Sequence, residues 1–264
     1  MRIPSAATQP NGQQTERADS FAGLRIAVTG GTSGLGLALV RELMGRGARV
    51  AFVARNAERV RSVASEHPGA HGIVGDVSSK EDIYPIAVQI AGELGGLDVL
   101  INNASDLGPV PLAMLSDTEC EDLERAFATN VIGPFRLTKA LMGALAASAR
   151  EGRGAVVLNV SSDAAVSAYP TWGAYGASKA ALAHLTRIWG EEHKDDRVRF
   201  LSIDPGDMDT PMHAAAIPDA DRSTLKRPED AAREVVAAIA SALPQRDASA
   251  ASPDAVSVLE GATL

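Results

Sequence analysis

Two residues in the segment AYGASKAALAHL (residues 174–185) have the types and the spacing that proton-transfer chemistry needs. Tyr175 and Lys179 are four positions apart in a segment that predicts a helix, so their side chains share one helix face. An ammonium about 5 Å from a phenol, at an effective dielectric constant of about 20, favours the phenolate by ~3 kcal/mol. The pair can therefore lower the pKa of the tyrosine by roughly two units, toward neutral pH. An ordinary half-buried structural pair is the alternative.

A glycine-rich turn, VTGGTSGLG (residues 28–36), lies between the first predicted strand and the first predicted helix. Gly30, Gly34 and Gly36 allow the backbone to turn tightly and to approach a ligand closely. The free N–H groups and the positive dipole at the start of the helix would then face a phosphate. A Walker-type loop is excluded because Leu37 stands where that loop needs a lysine. A simple tight turn remains the alternative.

Short apolar segments alternate with helical patterns along most of the chain. The predicted strands are residues 24–30, 48–54, 71–77, 97–104, 154–162 and 198–204, and the predicted helices are 35–46, 56–66, 80–94, 117–149 and 175–192. Strands that are apolar on both faces and separated by helices indicate right-handed βαβ units. The sequence therefore predicts an α/β fold, a doubly wound parallel sheet of six or seven strands with helices on both faces, in which residues 255–259 would be the seventh strand.

The bulk composition restricts the possible partners. The net charge of −8 argues against binding to nucleic acid or to an anionic membrane surface. The single cysteine, Cys120, excludes an internal disulfide, and no apolar segment approaches the ~18 residues of a membrane span. We expect a cytoplasmic protein in which residues 1–22 are a flexible polar tail and residues 23–264 are one domain with both cofactor and substrate sites. The five histidines form no ligand-spaced cluster with Cys120, so no metal site is predicted.

A series of ordered motifs resembles those of the short-chain dehydrogenase/reductase family, in its single-domain branch. The motifs are TGGTSGLG (29–36), Asp76, NNA (102–104), Asn130, VSS (160–162), YGASK (175–179) and PGDMDT (205–210), within residues 23–242. The resemblance implies a Rossmann-type fold, NAD(P) binding and hydride transfer between the nicotinamide and a carbonyl or alcohol carbon. The chemistry agrees, because reduction of a carbonyl requires a proton donor at the oxygen that develops negative charge.

The resemblance also implies individual roles in catalysis. Tyr175 would be the general acid/base, and Ser162 would donate a hydrogen bond to the substrate oxygen. Lys179 would bind the nicotinamide ribose, and Asn130 would hold a water that links Lys179 to solvent. A non-catalytic dinucleotide-binding sensor or scaffold of the same fold is the alternative function.

Further residues would bind the cofactor if the resemblance holds. They are Gly30, Thr32, Ser33, Gly34, Leu35, Gly36, Asp76, Val77, Asn102, Asn103, Ala104, Tyr175, Lys179, Pro205, Gly206, Met208 and Thr210. The second strand ends in Ala54, where a carboxylate would bind the ribose 2′-hydroxyl, and Arg55 follows. A guanidinium favours a 2′-phosphate, so NADP(H) is predicted over NAD(H), with Ser33 and Asn56 as helpers. A solvated Arg55 is the alternative.

Two positions depart from the family pattern. Ser105 stands where glycine usually follows NNA, and its side chain would either crowd the cofactor or add a hydrogen bond. Ala165 replaces a glycine common three residues after the catalytic serine.

The substrate and the oligomeric state are predicted only in outline. Substrate contacts should come from residues 162–172 and 207–227, where Tyr169, Trp172, Met208 and Met212 predict a partly apolar pocket for a small or medium carbonyl or alcohol. The long predicted helices over 117–149 and 175–192 suggest a homodimer, and a homotetramer is the alternative.

Overall fold

Six parallel strands form the central sheet of the computed structural model, which describes residues 21–244. The strands are β1 (Arg25–Thr29), β2 (Arg49–Ala54), β3 (His71–Val74), β4 (Val99–Asn102), β5 (Ala155–Val160) and β6 (Val198–Ile203). Their order across the sheet is β3-β2-β1-β4-β5-β6, and every neighbouring pair is parallel. The chain reverses its direction of winding between β1 and β4, where a crevice forms at the carboxyl ends of the strands.

Helices cover both faces of this sheet, as predicted. They are α1 (Gly34–Gly45), α2 (Ala57–Glu66), α3 (Lys80–Leu94), α4 (Cys120–Phe127), α5 (Gly133–Arg150), α6 (Gly173–Glu192), α7 (Pro211–Ala216) and α8 (Pro228–Ala242). The helices α1, α2 and α8 share one apolar core with the sheet, and α3 and α5 share the other. Within residues 21–244, no helix combines the length and the apolar character that crossing a membrane requires.

The strands supply side chains to the two cores alternately. On β1, Ile26 and Val28 pack into the core with α1 and α8, whereas Ala27 packs into the core with α3 and α5. All six residues of β5 are buried, because this strand lies between two neighbours and under helices on both faces. This explains why the strands are apolar throughout and not alternating.

A buried ion cluster ties the amino end of β4 to its surroundings. The carboxylate of Asp98 is fully buried, 2.7 Å from Arg25 Nη2 and 3.0 Å from Arg153 Nη2, and it accepts a hydrogen bond from Ser148. Although burial acts to raise the pKa of the Asp98 carboxyl, the hydrogen bonds from Arg153, Arg25 and Ser148 hold it well below its usual range.

A second buried polar group connects β4 and β5 to the helices beside them. Asn102 donates to Asn159 Oδ1 at 2.8 Å, and Asn159 donates to Thr186 Oγ1 of α6 at 2.9 Å. Asn102 also donates to Thr138 Oγ1 of α5 at 3.4 Å. The bond between Asn159 and Thr186 fixes the position of α6 along β5.

Several predicted boundaries are wrong in detail. The helix predicted over 117–149 begins at Cys120 and is interrupted by a π-helical turn at Ala128–Ile132. The strand predicted over 71–77 ends at Val74, and the helix predicted from residue 175 begins at Gly173. Helices α7 and α8 were not predicted. The proposed seventh strand at 255–259 and residues 1–20 of the predicted tail lie outside the described residues.

Candidate active site

A cavity of about 600 Å³ lies at the carboxyl ends of the strands and extends from the glycine loop to α6 and α7. It brings together the residues for which the sequence predicted cofactor contacts: Gly30, Thr32, Ser33, Gly34, Leu35, Gly36, Arg55, Asn56, Asp76, Val77, Asn103, Ala104, Tyr175, Lys179, Pro205, Gly206, Met208 and Thr210. Ser162 also lines this cavity. Asn130 and Asn102 do not, since their side chains are buried in the protein interior.

The backbone of the glycine loop is packed so closely against itself that a side chain at Gly36 has no room. Gly30 has a φ of 70°, and a Cβ at Gly36 would overlap the carbonyl of Gly30. The Asn103 amide donates to the carbonyl of Thr29 at 2.9 Å, and Thr29 Oγ1 accepts from the Asn103 N–H at 3.0 Å. The loop is therefore held against the segment after β4, and its backbone forms part of the cavity wall.

The first turn of α1 faces the same cavity. Its N-cap residue, Ser33, is extended and makes no capping hydrogen bond through its side chain. Because the first N–H groups of a helix have no partner within the helix, they are available to an anion there. The loop and the helix end therefore meet the geometric requirement for the predicted phosphate site.

Two guanidinium groups line the cavity beside the end of β2. Arg55 is 65% exposed, and its Nη1 lies 3.9 Å from Asp76 Oδ2. Arg59, on the first turn of α2, lines the same region, although the sequence analysis did not single it out. Arg59 lies in the first turn of the helix that follows Arg55, and this position directly after the end of β2 is the signal that could have found it. Asn56 lines the cavity too, but its Oδ1 accepts from the Arg59 N–H at 2.9 Å and so caps α2.

The predicted pair on α6 is buried at the opposite end of the cavity. Tyr175 is only 9% exposed and Lys179 only 2% exposed. Lys179 Nζ lies 5.5 Å from the centre of the Tyr175 ring and donates a hydrogen bond to the carbonyl of Val160 at 2.8 Å. The two side chains therefore share a helix face, as the spacing predicted.

The pKa of the phenol does not shift in the predicted direction. Burial raises the pKa of Tyr175 to about 12; the hydroxyls of Ser162 and Ser105 act to lower it, and the carboxylates of Asp204 and Asp163 act to raise it. Burial also lowers the pKa of Lys179 to about 8. The net shift of the Tyr175 pKa is therefore opposite to the predicted one, because loss of solvation is its largest cause and Lys179 is not among the groups that offset it.

Ser162 and its neighbours form a hydroxyl and carboxylate network at the cavity wall. The Ser162 hydroxyl donates to Asp163 Oδ1 at 3.1 Å and accepts from the Ala164 N–H at 3.2 Å. The Tyr169 hydroxyl donates to the other oxygen of Asp163 at 2.7 Å. This bond from Tyr169 lowers the pKa of Asp163. In the predicted role of donor to a substrate oxygen, Ser162 would first have to turn its proton away from Asp163.

The side-chain amide of Asn130 is buried and makes four hydrogen bonds. Its Nδ2 donates to the carbonyl of Asp106 and to Ser178 Oγ, both at 2.8 Å. Its Oδ1 accepts from the Asp106 N–H at 2.8 Å and from Ser105 Oγ at 3.1 Å. An amide side chain has no further hydrogen-bonding capacity than these four bonds. The side chain of Asn130 therefore joins the loop after β4 to α6, so the water predicted at Asn130 would have to be held by the main chain of this residue.

The wall near Tyr175 is apolar on one side and acidic on the other. Trp172 contacts the Tyr175 ring edge-on, with 5.6 Å between the ring centres, and Leu107 and Met212 pack in the same group. Asp163, Asp204 and Asp207 line this part of the cavity as well. Leu107 and Asp204 were not predicted. Nothing in the sequence places residue 107 beside residue 175, whereas Asp204 directly precedes Pro205, a predicted cofactor residue, and could have been found from that position.

A profile of the short chain dehydrogenase family matches residues 25–221, which include the glycine loop, Ser162 and the Tyr175–Lys179 pair. The chain belongs to the short-chain dehydrogenase family. The family predicted from the motifs is therefore confirmed, and so is the Rossmann-type sheet.

Relatives of this short-chain dehydrogenase include an uncharacterised oxidoreductase of Thermotoga maritima, which is 35% identical over 71% of this chain and 72% of that protein. An uncharacterised oxidoreductase of Mycobacterium tuberculosis is 33% identical over 74% of this chain, and the match spans only 58% of that relative's length. Among solved structures, a short-chain dehydrogenase of Escherichia coli complexed with NADPH superposes with a TM-score of 0.77 at 29% identity, covering 83% of this chain and 91% of that one.

Proposed function

We propose that this short-chain dehydrogenase is an oxidoreductase that transfers hydride between NADP(H) and a neutral carbonyl or alcohol substrate, with Tyr175 as the general acid/base. One observation carries the proposal: Tyr175, Ser162 and Lys179, whose ammonium lies 5.5 Å from the centre of the Tyr175 ring, line the same cavity as the glycine loop. The dinucleotide and the proton donor thus have their sites in one connected space.

The residues of the cavity fit a dinucleotide. The absence of a side chain at Gly30 and Gly36 leaves backbone at the wall, and the start of α1 offers N–H groups to a pyrophosphate. When bound, NADP(H) would supply or accept the hydride. Arg55 and Arg59 support the 2′-phosphorylated form, since two guanidinium groups can pair with a dianionic phosphate. The NADPH in the Escherichia coli relative supports the same choice, and NAD(H) is the alternative cofactor.

The protonation states suit reduction of a carbonyl. With its pKa raised to about 12, Tyr175 carries its proton at neutral pH and can donate it to the oxygen that develops negative charge. Ser162 stabilises the same oxygen once its hydroxyl rotates and donates to that oxygen in place of Asp163. Lys179, held by the carbonyl of Val160, keeps a cation behind the phenol and favours the tyrosinate that remains.

The cavity wall favours a neutral substrate. Trp172, Leu107 and Met212 offer apolar contacts next to Tyr175. The carboxylates of Asp163 and Asp204 would repel a carboxylate or a phosphate in the same place. A small or medium apolar ketone, aldehyde or alcohol satisfies both conditions.

Self-association through α5 and α6 is part of the proposal. Phe135 on α5 and Ile188 on α6 are large apolar residues that are more than a third exposed. Their exposure supports a homodimer through these helices, with a homotetramer as the alternative, and sedimentation of the purified protein would distinguish the two. The exposed thiol of Cys120 supports a reducing compartment such as the cytoplasm.

Oxidation of NADPH with a panel of neutral ketones and aldehydes tests the proposed function, with Tyr175→Phe as the decisive variant. We expect Tyr175→Phe to lose at least about 100-fold in kcat and to keep its affinity for NADPH, because only the proton donor is removed. A Tyr175→Phe protein that turns over like the wild type would contradict the assigned mechanism. Binding of NADPH by a wild-type protein that turns over no member of the panel would favour the sensor.

A further inference from the structure

A second cavity, of about 420 Å³, lies beside the first cavity of about 600 Å³ that Tyr175 lines. Three residues, Ser105, Leu107 and Met212, line both cavities and therefore lie between them. Leu107 is buried, and Met212 packs in the same apolar group as Leu107 and Tyr175. These three residues thus form a partition between the space next to Tyr175 and the second cavity.

The segment after β4, which supplies two residues of the partition, is held in place from the protein interior. The main-chain N–H and carbonyl of Asp106 both bond to the side chain of Asn130, each at 2.8 Å. Arg125 on α4 donates to the carbonyl of Gly108 and to the carboxylate of Asp106. The two partition residues on either side of Asp106 are therefore fixed with it.

Met212 is the part of the partition that a substitution can remove. It lies on the first turn of α7, where Thr210 Oγ1 caps the helix by accepting from the His213 N–H at 3.2 Å. Its unbranched side chain is half-buried and packs in the small apolar group around Tyr175. Shortening this side chain therefore removes atoms from the partition and leaves the described cores of the sheet intact.

The lining of the second cavity favours an uncharged chain. Residues 109–111 and Met212 supply apolar contacts. The guanidinium of Arg125 lies 2.6 Å from the carboxylate of Asp122 and 3.3 Å from that of Asp106. Two carboxylates around one guanidinium leave an excess of negative charge, which would repel an anion. An aliphatic chain meets no such repulsion.

We infer that Met212 is a specificity-determining residue, whose side chain closes the second cavity to the substrate and so sets the greatest chain length that the active site accepts. The inference rests on the proposed function, because the first cavity is taken as the place where the carbonyl is reduced. A short neutral ketone fits next to Tyr175 without reaching the partition. The chain of a longer one meets Met212, and an alanine there would let it continue into the second cavity.

The test compares straight-chain methyl ketones of increasing length as substrates, with NADPH, in the wild type and in Met212→Ala. In the wild type kcat/KM should stop rising with chain length, whereas in Met212→Ala it should continue to rise. Each methylene that enters the second cavity contributes about four-fold. The ratio of kcat/KM for the longest soluble ketone to that for butanone should increase at least about ten-fold. A wild-type ratio in a folded Met212→Ala protein would overturn the inference.

Two variants are matched controls for this ratio. Ile217→Ala shortens an apolar side chain that lines the first cavity and is not part of the partition, so it should keep the wild-type ratio. Met212→Leu keeps the side-chain volume nearly constant and should keep it as well. A ratio that rises as much in Ile217→Ala as in Met212→Ala would show that any widening of the first cavity admits long chains, and would overturn the role of Met212.

A binding measurement separates this inference from the proposed function, because it needs no turnover. Straight-chain amides, which NADPH does not reduce, are titrated calorimetrically into each protein in the presence of excess NADPH. Their affinity should level off with chain length in the wild type and continue to rise in Met212→Ala. Lack of turnover on every ketone would refute the proposed function alone. Affinities that level off at the same chain length in both proteins would refute the role of Met212.

Discussion

The ammonium of Lys179 donates a hydrogen bond to the main-chain carbonyl of Val160, at 2.8 Å. This bond joins the middle of α6 to the last residue of β5, directly before Ser161 and Ser162. The carbonyl therefore fixes the lysine beside the ring of Tyr175. Burial of the ammonium lowers the pKa of Lys179 to about 8, so the charged form of this lysine is unfavourable for folding.

Lys179→Met should therefore change the pH dependence of stability. Because the folded pKa is lower than the unfolded value of about 10.4, the charged lysine disfavours folding below pH 8. This penalty disappears as the pH rises toward 10.4, so the wild type should gain up to about 3 kcal/mol relative to Lys179→Met between pH 8 and 10.4. Urea unfolding of both proteins across this range measures the difference. Lys139 on α5 is exposed, and an equal trend in Lys139→Met would contradict the explanation.

Arg55→Ala and Arg59→Ala should weaken the binding of NADPH. Both guanidinium groups line the cavity beside the end of β2, and each charge-assisted bond to a 2′-phosphate is worth roughly ten-fold in affinity at an exposed site. The KM for NADPH should rise about ten-fold in each variant, whereas the KM for NADH should stay the same. Arg61→Ala is the matched control, because Arg61 is an exposed residue of the same helix. A clear NADH preference that is unchanged in Arg55→Ala would refute the NADP assignment.

Gly36→Ala should abolish dinucleotide binding. The added Cβ would overlap the carbonyl of Gly30, so the loop has to move away from the position in which it can approach a pyrophosphate. Gly45→Ala adds the same atom at the other end of α1, where nothing lies within 4 Å, and it should bind NADPH like the wild type. Fluorescence titration with NADPH measures both. Equal affinity in the two variants would show that the loop does not hold the cofactor.

Asp98→Asn should destabilise the protein by about 3 kcal/mol, since it leaves two arginines at a buried site without their carboxylate. This corresponds to a fall in melting temperature of about 9 °C. The pKa of Asp98 is lower in the folded state, so its contribution is complete above the unfolded pKa of about 3.9. The gap between wild type and variant should therefore be constant from pH 5 to 8 and should narrow as the pH falls below 4.

Glu151→Gln is the control for this prediction. Glu151 is also a partner of Arg25, at 3.6 Å, but its carboxylate is more than half exposed. A surface pair of this kind contributes roughly 0–1 kcal/mol, so the variant should melt close to the wild type. A loss of stability equal to that of Asp98→Asn would show that burial of Asp98 is not the cause.

The sheet could be predicted from sequence because its strands are apolar on both faces and each is followed by a helical pattern. Val157 and Leu158, for example, are buried toward opposite cores, as only a covered parallel strand allows. The last described helix, α8, was harder to predict from the sequence. Helix α8 is rich in alanine, and its apolar side chains stand out as a stripe only once they are seen packed against α1.

The residues of the candidate site could be found from spacing and motif order, but their electrostatics could not. The spacing of four residues predicts that Tyr175 and Lys179 share a helix face. The pKa of each group depends on its burial, which the spacing does not show. Asn130 is a similar case. Its partners Asp106 and Ser178 lie 24 and 48 residues away, so only the folded chain shows that its amide is fully bonded.

The hydrogen bonds of Asn102 and Asn159 to the threonines of α5 and α6 have a consequence for which parts of this protein can change in sequence. Because Asn159 donates to Thr186, the helix that carries Tyr175 is anchored in the protein interior. Residues 204–227 have no such anchor to the interior asparagines, and they contribute Met212 to the wall of the cavity. Changes in that outer segment can therefore alter the shape of the cavity while Tyr175 keeps its position on α6.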